Sequence, residues 1–519
     1  MRLTSRSSKT AMVFILDFGS QYSQLIARRV RALGVAAELR PFSTSARELR
    51  SASALILSGG PDSVYAPGAP RLGHGIFLSG VPILGICYGM QFMAHELGGV
   101  VERAAKREYG PATLTITNHA NLFSGLGKTS AVWMSHGDLV TKLPRGFIRL
   151  AHTENSPDAA IADARRKIYG LQFHPEVEHS RDGMKILNNF LFVVARCKRN
   201  WDVGNLIERK VHEIRDAVGD ARIFAAVSGG VDSTVTAALV SRAVGKQLSA
   251  VFVNHGLLRQ GEPEDVVQIL KTLPCRTVVV NAQAQFFRKL RGVEFGETKR
   301  KIIGAEFVRV FANTVKHLRP KPEFFAQGTI HSDVIESAQA KSGKQACVIK
   351  SHHNVGGLPK GIRWKLIEPL RDLFKDEVRE LGEALGLPKE LVWRQPFPGP
   401  GLAIRIAGEV TTEKLRILRQ ADAIVQEEVK SAGWEFEFYH YFAQLLSQKT
   451  VGVTGDERNY AYPIVVRIVK SSDIMTADWA KLPSEFLAKL SWRITNEVPG
   501  AVRVLYDITS KPPGTVEWE

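Results

Sequence analysis

Cysteine is scarce in this chain, with four in 519 residues, at positions 87, 197, 275 and 347, and no C-x-x-C pair. So thin a scatter excludes a disulfide framework and a zinc-finger spacing, and it fits a reducing, cytoplasmic compartment. Long apolar runs are missing too. None reaches the roughly 18 to 20 residues that a membrane helix needs, so no spanning segment is expected. Acidic charge is in deficit: 52 Asp and Glu stand against 69 Lys and Arg, for a formal net charge of +17 at pH 7. That excess favours anionic partners, nucleotides or nucleic acid. The basic clusters Arg288, Lys289, Arg291 and Lys299, Arg300, Lys301 carry none of the interleaved aromatics of an RNA module, so nucleic acid is not expected as a ligand. Solenoid repeats and low-complexity tracts are absent. Residues 1–11 lack the apolar stretch of a secretory signal. They read as a short disordered extension, with an organellar transit peptide as the alternative.

What is present is an ordinary globular composition, 44% hydrophobic and 23% charged. A chain of this length exceeds a single core, and two to four domains are expected. Between residues 13 and 194 short apolar runs (13–16, 54–57, 82–86) alternate with helix-period segments such as 21–33, the pattern of a parallel α/β unit. A second alternation begins after the polar stretch 198–204: a strand at 223–227, a helix at 232–244, then strands at 250–253 and 277–280, a second doubly wound sheet. Beyond the Pro/Gly-rich run 396–401, longer helices and strands such as 462–469 suggest a smaller α+β domain.

Two constellations carry chemistry. The strand at 82–86 runs into Gly85-Ile86-Cys87-Tyr88-Gly89 and then a helical pattern, the cysteine form of a nucleophile elbow. At a helix N-terminus the dipole favours the reactive thiolate. A second strand-like run, 168–173, ends in His174-Pro175-Glu176, which offers a base and an orienting carboxylate for a Cys87–His174–Glu176 triad. Ser58-Gly59-Gly60-Pro61 follows another strand. Its side-chain-free amides at Gly59 and Gly60, with that of Tyr88, can form an oxyanion hole. The other constellation is Ser228-Gly229-Gly230-Val231-Asp232-Ser233-Thr234, between a strand and a helix, where paired glycines, hydroxyls and a helix N-terminus make a phosphate site. Its spacing is neither the Walker loop nor G-x-G-x-x-G. Asp232 is the candidate Mg²⁺ ligand, since hard carboxylate oxygens suit that ion beside phosphates.

The order G-G-P, G-I-C-Y-G-M-Q, H-P-E resembles the class I glutamine amidotransferases over 13–194. The resemblance implies thioester chemistry on a glutamine amide, and it places Gln91, Ser135 and His136 among the glutamine-binding residues. SGGVDS resembles the PP-loop of the ATP pyrophosphatases, which adenylate a carbonyl oxygen and release pyrophosphate. The runs Lys299-Arg300-Lys301, Gln327-Gly328-Thr329, Phe397-Pro398-Gly399-Pro400-Gly401 and the terminal Lys511-Pro512-Pro513-Gly514-Thr515-Val516-Glu517-Trp518-Glu519 resemble the glutamine-hydrolysing GMP synthetases, and almost the whole chain is covered.

That family implies a ligase that takes glutamine, ATP and xanthosine monophosphate to GMP, with Mg²⁺ accompanying ATP. It implies Arg300, Lys511 and Glu517 as xanthosine monophosphate ligands and a homodimer through the C-terminal domain. The expected division is an extension at 1–11, an amidotransferase at 12–202, a PP-loop domain at 203–395 and a dimerisation and substrate-binding domain at 396–519. The glycine-rich stretch 349–359 reads as a mobile lid. Three departures from the family pattern are Asn254-His255-Gly256, His331-Ser332-Asp333 and Ser447-Gln448-Lys449-Thr450, which put adenine-pocket details and one dimer contact in question. Other PP-loop enzymes, such as NAD synthetase or a tRNA-modifying thiolase, leave the amidotransferase and the terminal motif unexplained. A non-catalytic binding protein leaves Cys87, His174, Glu176 and Asp232 unexplained.

Overall fold

Short runs of Val, Ile and Leu that are apolar on both faces can hide only in a sheet covered on both sides, and they form the centre of the first sheet. The computed structural model describes residues 12–20, 22–119, 121–331, 333–334, 364–454, 456–471 and 476–519. The extension 1–11, the stretch 349–359, Ser332 and Cys347 lie outside the described residues. The chain divides into two compact units, residues 1–205 and 206–519.

The first unit is built on a nine-stranded sheet. Its strands are β1 (Val13–Asp17), β2 (Ala37–Pro41), β3 (Ala54–Leu57), β4 (Ile83–Ile86), β5 (Val100–Ile116), β6 (Thr129–Lys142), β7 (Ile148–His152), β8 (Ala160–Asp163) and β9 (Ile168–Leu171). They lie in the order β2-β1-β3-β4-β9-β8-β7-β5-β6. The run from β2 to β9 is parallel, and the remainder is antiparallel. Strands β3, β4 and β9 are buried along their whole length. β6 alternates buried and more exposed positions, as a strand with one face near water does. This antiparallel extension goes beyond the parallel unit expected from the sequence.

The second unit holds a five-stranded, all-parallel sheet and a six-stranded mixed one. The parallel sheet contains β10 (Ile223–Val227), β11 (Leu248–Asn254), β12 (Arg276–Asn281), β13 (Phe324–Ala326) and β14 (Lys365–Ile367) in the order β12-β11-β10-β13-β14. The chain order reverses at β10, so the loop leaving β10 sits at the switch point where open α/β sheets bind ligands. The mixed sheet is organised around β18 (Glu457–Lys470), which pairs with β16 (His440–Leu446), β17 (Thr450–Thr454), β19 (Asp478–Trp479) and β20 (Ala501–Tyr506). β15 (Ile406–Ala407) extends it beyond β16.

Helix Thr412–Ser431 covers the mixed sheet. It starts where Thr411 caps the amide of Lys414 at 3.2 Å, and it buries Leu415, Leu418, Ala421, Val425 and Val429 along one stripe. One apolar cluster runs from Phe286, Leu290 and Ile303 through Leu402 to Leu418, Ile464 and Ile494, so the two sheets of this unit share a core across position 395. Among the described residues no helix is long and apolar enough to cross a membrane.

Candidate functional site

Strand β4 turns sharply into the helix Tyr88–Glu96, and Cys87 stands on the turn with φ 52° and ψ −110°. A non-glycine residue there carries strain of about 1–3 kcal/mol, which the surroundings must offset. Two glycines permit it. A Cβ on Gly85 would lie 2.7 Å from the backbone of Gly89, and one on Gly89 would lie 2.7 Å from the Leu57 carbonyl carbon. Tyr88 is the first residue of the helix, so its amide has no acceptor within the helix.

Beyond the end of β9, His174 Nδ1 lies 2.8 Å from Glu176 Oε1, both side chains being almost wholly buried. The imidazole also feels the Cys87 sulfur electrostatically. Burial alone would lower the pKa of His174; the Glu176 carboxylate and the Cys87 sulfur outweigh it and hold the value well above the ordinary one. The segment is tied down by the Ser180 hydroxyl, which donates to the His174 carbonyl at 2.6 Å, and by Arg29 Nε, which donates to the Glu176 carbonyl at 2.9 Å.

The other residues expected at this site lie close to these three or to one another. A Cβ on Gly59 would stand 3.2 Å from His174 Cε1, and one on Gly60 would stand 3.3 Å from the Tyr88 ring. The Cys87 thiol donates to the Ser135 carbonyl at 3.5 Å. Gln91 Nε2 donates to the Asp138 carbonyl at 2.8 Å, and His136 Nδ1 lies 3.0 Å from that same oxygen. Gln172, which the sequence reading passed over, has its Nε2 3.9 Å from Cys87 Sγ and its Oε1 3.3 Å from Gln91 Nε2. Its signal was there: it is a polar residue within the largely apolar run 168–173, two positions before His174.

In the second unit the loop between β10 and the helix Val231–Val244 curls around its own hydroxyls. Gly229 takes φ +86°. Ser228 Oγ accepts from the Gly230 amide at 3.3 Å and lies 3.2 Å from Ser233 Oγ, while Ser233 and Thr234 donate to the Gly230 carbonyl at 3.0 and 2.9 Å. The first-turn amides of Val231, Asp232 and Ser233 have no acceptor within the helix, the arrangement an anion fills.

Gly328 packs under the loop, its Cα so close that a Cβ would lie 2.9 Å from the Asp232 carbonyl. Arg394 donates to the Gly229 carbonyl and, at 2.9 Å, to Glu262. Lys375 Nζ lies 2.6 and 2.8 Å from the two Asp232 oxygens. Lys375 and Arg394 have no local sequence signal; they reach the loop from segments about 140 to 165 residues away. Among the described residues no cluster of three or more His, Cys, Asp or Glu could hold a metal. A hard cation would find one carboxylate beside the phosphate loop, which fits an ion that takes most of its ligands from substrate phosphates and water.

The family description "Glutamine amidotransferase class-I" matches residues 14–194, and "GMP synthase C terminal domain" matches residues 427–518. A glutamine-hydrolysing GMP synthase of Prochlorococcus marinus is 52% identical over 524 residues, covering 99% of each chain. One from Clostridium tetani is 52% identical over 514 residues, covering 98% of this chain and all of its own. The chain belongs to the glutamine-hydrolysing GMP synthase family. Its activity is the glutamine-dependent synthesis of GMP, and it is a ligase. The crystal structure of a glutamine amidotransferase from Thermotoga maritima, 19% identical, covers 36% of this chain and 98% of its own, with a TM-score of 0.32.

The family's terminal motif folds back into the second unit. Glu517 is held bidentately by the fully buried Arg405, with contacts of 3.1 and 2.9 Å, and these charges keep its carboxyl below the ordinary range despite burial. Glu519 pairs with Lys299, and its backbone oxygen accepts from Arg300. Lys511 exchanges two backbone hydrogen bonds with Ala477, at 2.7 and 3.0 Å. Arg300 and Glu517 are thus brought near each other, while both carboxylate oxygens of Glu517 already face Arg405.

The departures also find places. His255 is buried against Phe286 and Phe307, its pKa lowered to about 3 by burial, and Leu257 donates to its Nδ1. It packs as a core residue. Ser447 accepts from Lys414 Nζ at 2.9 Å.

Proposed function

We propose that Cys87, His174 and Glu176 make ammonia from glutamine and that the loop 228–234 holds ATP while xanthosine monophosphate is activated. The observation that carries this reading is the buried His174, held by Glu176 at 2.8 Å and coupled electrostatically to a cysteine on a strained strand-to-helix turn. In this scheme His174 takes the Cys87 proton and the thiolate attacks the glutamine side-chain carbonyl. The oxyanion faces the amides of Tyr88 and the 59–60 segment, and the imidazolium returns its proton to the departing ammonia. Water then cleaves the thioester with His174 as base, leaving glutamate and the free thiol.

At the second site the C2 oxygen of xanthosine monophosphate displaces pyrophosphate from the α-phosphorus of ATP. Ammonia adds to C2, and AMP leaves with the former C2 oxygen as one proton is released. Mg²⁺, beside Asp232, would supply charge neutralisation on the phosphates. The loop amides and hydroxyls hold the pyrophosphate, Lys375 orients Asp232, and Arg300 and Lys511 offer cations to the nucleotide phosphate.

A homodimer through the mixed sheet fits its exposed apolar edge, where Val451, Val453 and Tyr460 are 45%, 75% and 59% exposed. A cytoplasmic setting fits the free cysteines 87, 197 and 275. The test uses ammonium salts, which bypass the first site but not ATP activation. Cys87→Ala should lose glutamine-driven GMP synthesis and keep ammonium-driven synthesis, whereas Asp232→Ala should lose both. A folded Cys87→Ala protein that fails with ammonium at high pH, or an Asp232→Ala protein that works with it, overturns this division of labour.

A further inference from the structure

Behind the Cys87 site lies a second buried histidine–carboxylate pair. Between Arg103 and Glu108 the register of β5 on β6 slips, so that Arg103 pairs with Asp138 while Glu108 pairs with His136. Such a bulge re-aims a side chain. Here it directs Glu108 inward, where the residue is 7% exposed and accepts from the hydroxyls of Ser156 at 2.6 Å and Thr153 at 3.0 Å and from Asn155 Nδ2 at 3.4 Å. Its Oε2 also lies 3.1 Å from His136 Nε2. The other ring nitrogen of His136 faces the Asp138 carbonyl at 3.0 Å, the oxygen to which Gln91 donates.

Neighbouring Ser135 presents its carbonyl to the Cys87 thiol at 3.5 Å. A continuous path of contacts therefore runs from Glu108 through His136 to the two carbonyls that face Cys87 and Gln91. A carboxylate buried at such cost is out of place in a sheet unless its partners need it.

We propose that Glu108 is a positioning residue for glutamine hydrolysis: through His136 it fixes the 135–138 segment as the wall against which the glutamine amide is held over Cys87. This rests on the reading of Cys87 as the glutaminase nucleophile. The hydrogen bonds of Glu108 go to Ser156, Thr153, Asn155 and His136 and not to the sulfur, and the His174–Glu176 pair does not depend on it. The consequence is therefore a loss of glutamine binding, with the reactivity of the thiol preserved.

Glu108→Gln keeps the shape and removes the charge that faces three donors and the imidazole. In the full-length enzyme it should raise the KM for glutamine by roughly tenfold or more, with a smaller fall in kcat, as expected when a substrate contact is misplaced by a fraction of an ångström. Ammonium-driven GMP synthesis should stay within about twofold, and the pH dependence of Cys87 alkylation by iodoacetamide should not move, because His174 and Glu176 are intact. A normal glutamine KM overturns the proposal, as does an equal loss with glutamine and ammonium, which would make Glu108 a residue of general stability. Cys87→Ala, assayed alongside, separates the two readings: glutamine hydrolysis surviving in that variant would defeat the nucleophile assignment, whatever Glu108→Gln does.

Discussion

Burial would strip the proton from His174, but the Glu176 carboxylate at 2.8 Å and the Cys87 sulfur oppose that effect and prevail. Because the folded-state pKa is raised, the imidazolium persists at pH values where a free histidine is neutral. The basic limb of kcat/KM for glutamine should therefore lie well above 6.5. Glu176→Gln removes the charge that raises it, so the limb should move to lower pH and the rate at pH 8 should fall on the order of a hundredfold. Rate profiles of glutamine hydrolysis from pH 5 to 10 check this, and an unmoved limb would show that Glu176 does not set the histidine's charge. At this scale the grouping of Cys87, His174 and Glu176 was legible because they stand in two short motifs. The Glu108–His136 pair was not, because a register slip between β5 and β6 creates it and Glu108 carries no local pattern of its own.

Elements behaved according to how completely burial specifies them. The strand expected at 223–227 is β10 itself, and the helix expected at 232–244 is Val231–Val244, since an apolar run and a following helix-period segment leave little freedom. Strands β5 and β6 escaped notice because the positions that β6 buries include Ser130, His136 and Asp138, so its burial alternates without an alternating hydrophobic pattern, and β5 carries charges through its bulge. Long-range ties to the phosphate loop were equally hidden, although Gln327-Gly328-Thr329 stood out by resemblance, and Gly328 lies where only a residue without a side chain fits. Gly328→Ala would push a methyl to 2.9 Å from the Asp232 carbonyl and 3.0 Å from the Ser233 amide, so the loop must shift, at about 1–3 kcal/mol. The KM for ATP should rise roughly tenfold while glutamine hydrolysis continues. An unchanged ATP KM would mean that the loop accommodates the methyl and that contact with Gly328 does not shape the phosphate site.

For the molecule as a whole, the carboxyl-terminal segment closes the electrostatics of the second unit. Arg405 and Lys299 have side chains with no exposure, and their carboxylate partners Glu517 and Glu519 both come from the last three residues. Arg405 also lies 3.7 Å from Asp422, which binds Arg259 at 2.9 Å, so the terminal motif completes a buried charge network. Breaking a buried pair by removing one partner costs about 3–5 kcal/mol, because the other charge is left without compensation. Deleting residues 511–519 strips partners from Arg405, Lys299 and Arg300 at once and removes Lys511, the cation proposed for the nucleotide phosphate. GMP formation should therefore disappear with glutamine and with ammonium alike. Glutamine hydrolysis should persist at least in part, because Cys87 and His174 belong to the other compact unit. Full-length Glu517→Gln, which keeps the shape and loses the charge, should reproduce the loss of synthesis in weaker form, with a lower melting temperature and a raised KM for xanthosine monophosphate. Chromatographic assay of GMP and glutamate on both proteins distinguishes the outcomes, and normal GMP synthesis by the truncated chain would show that the terminal carboxylates serve neither the nucleotide site nor the network beneath it.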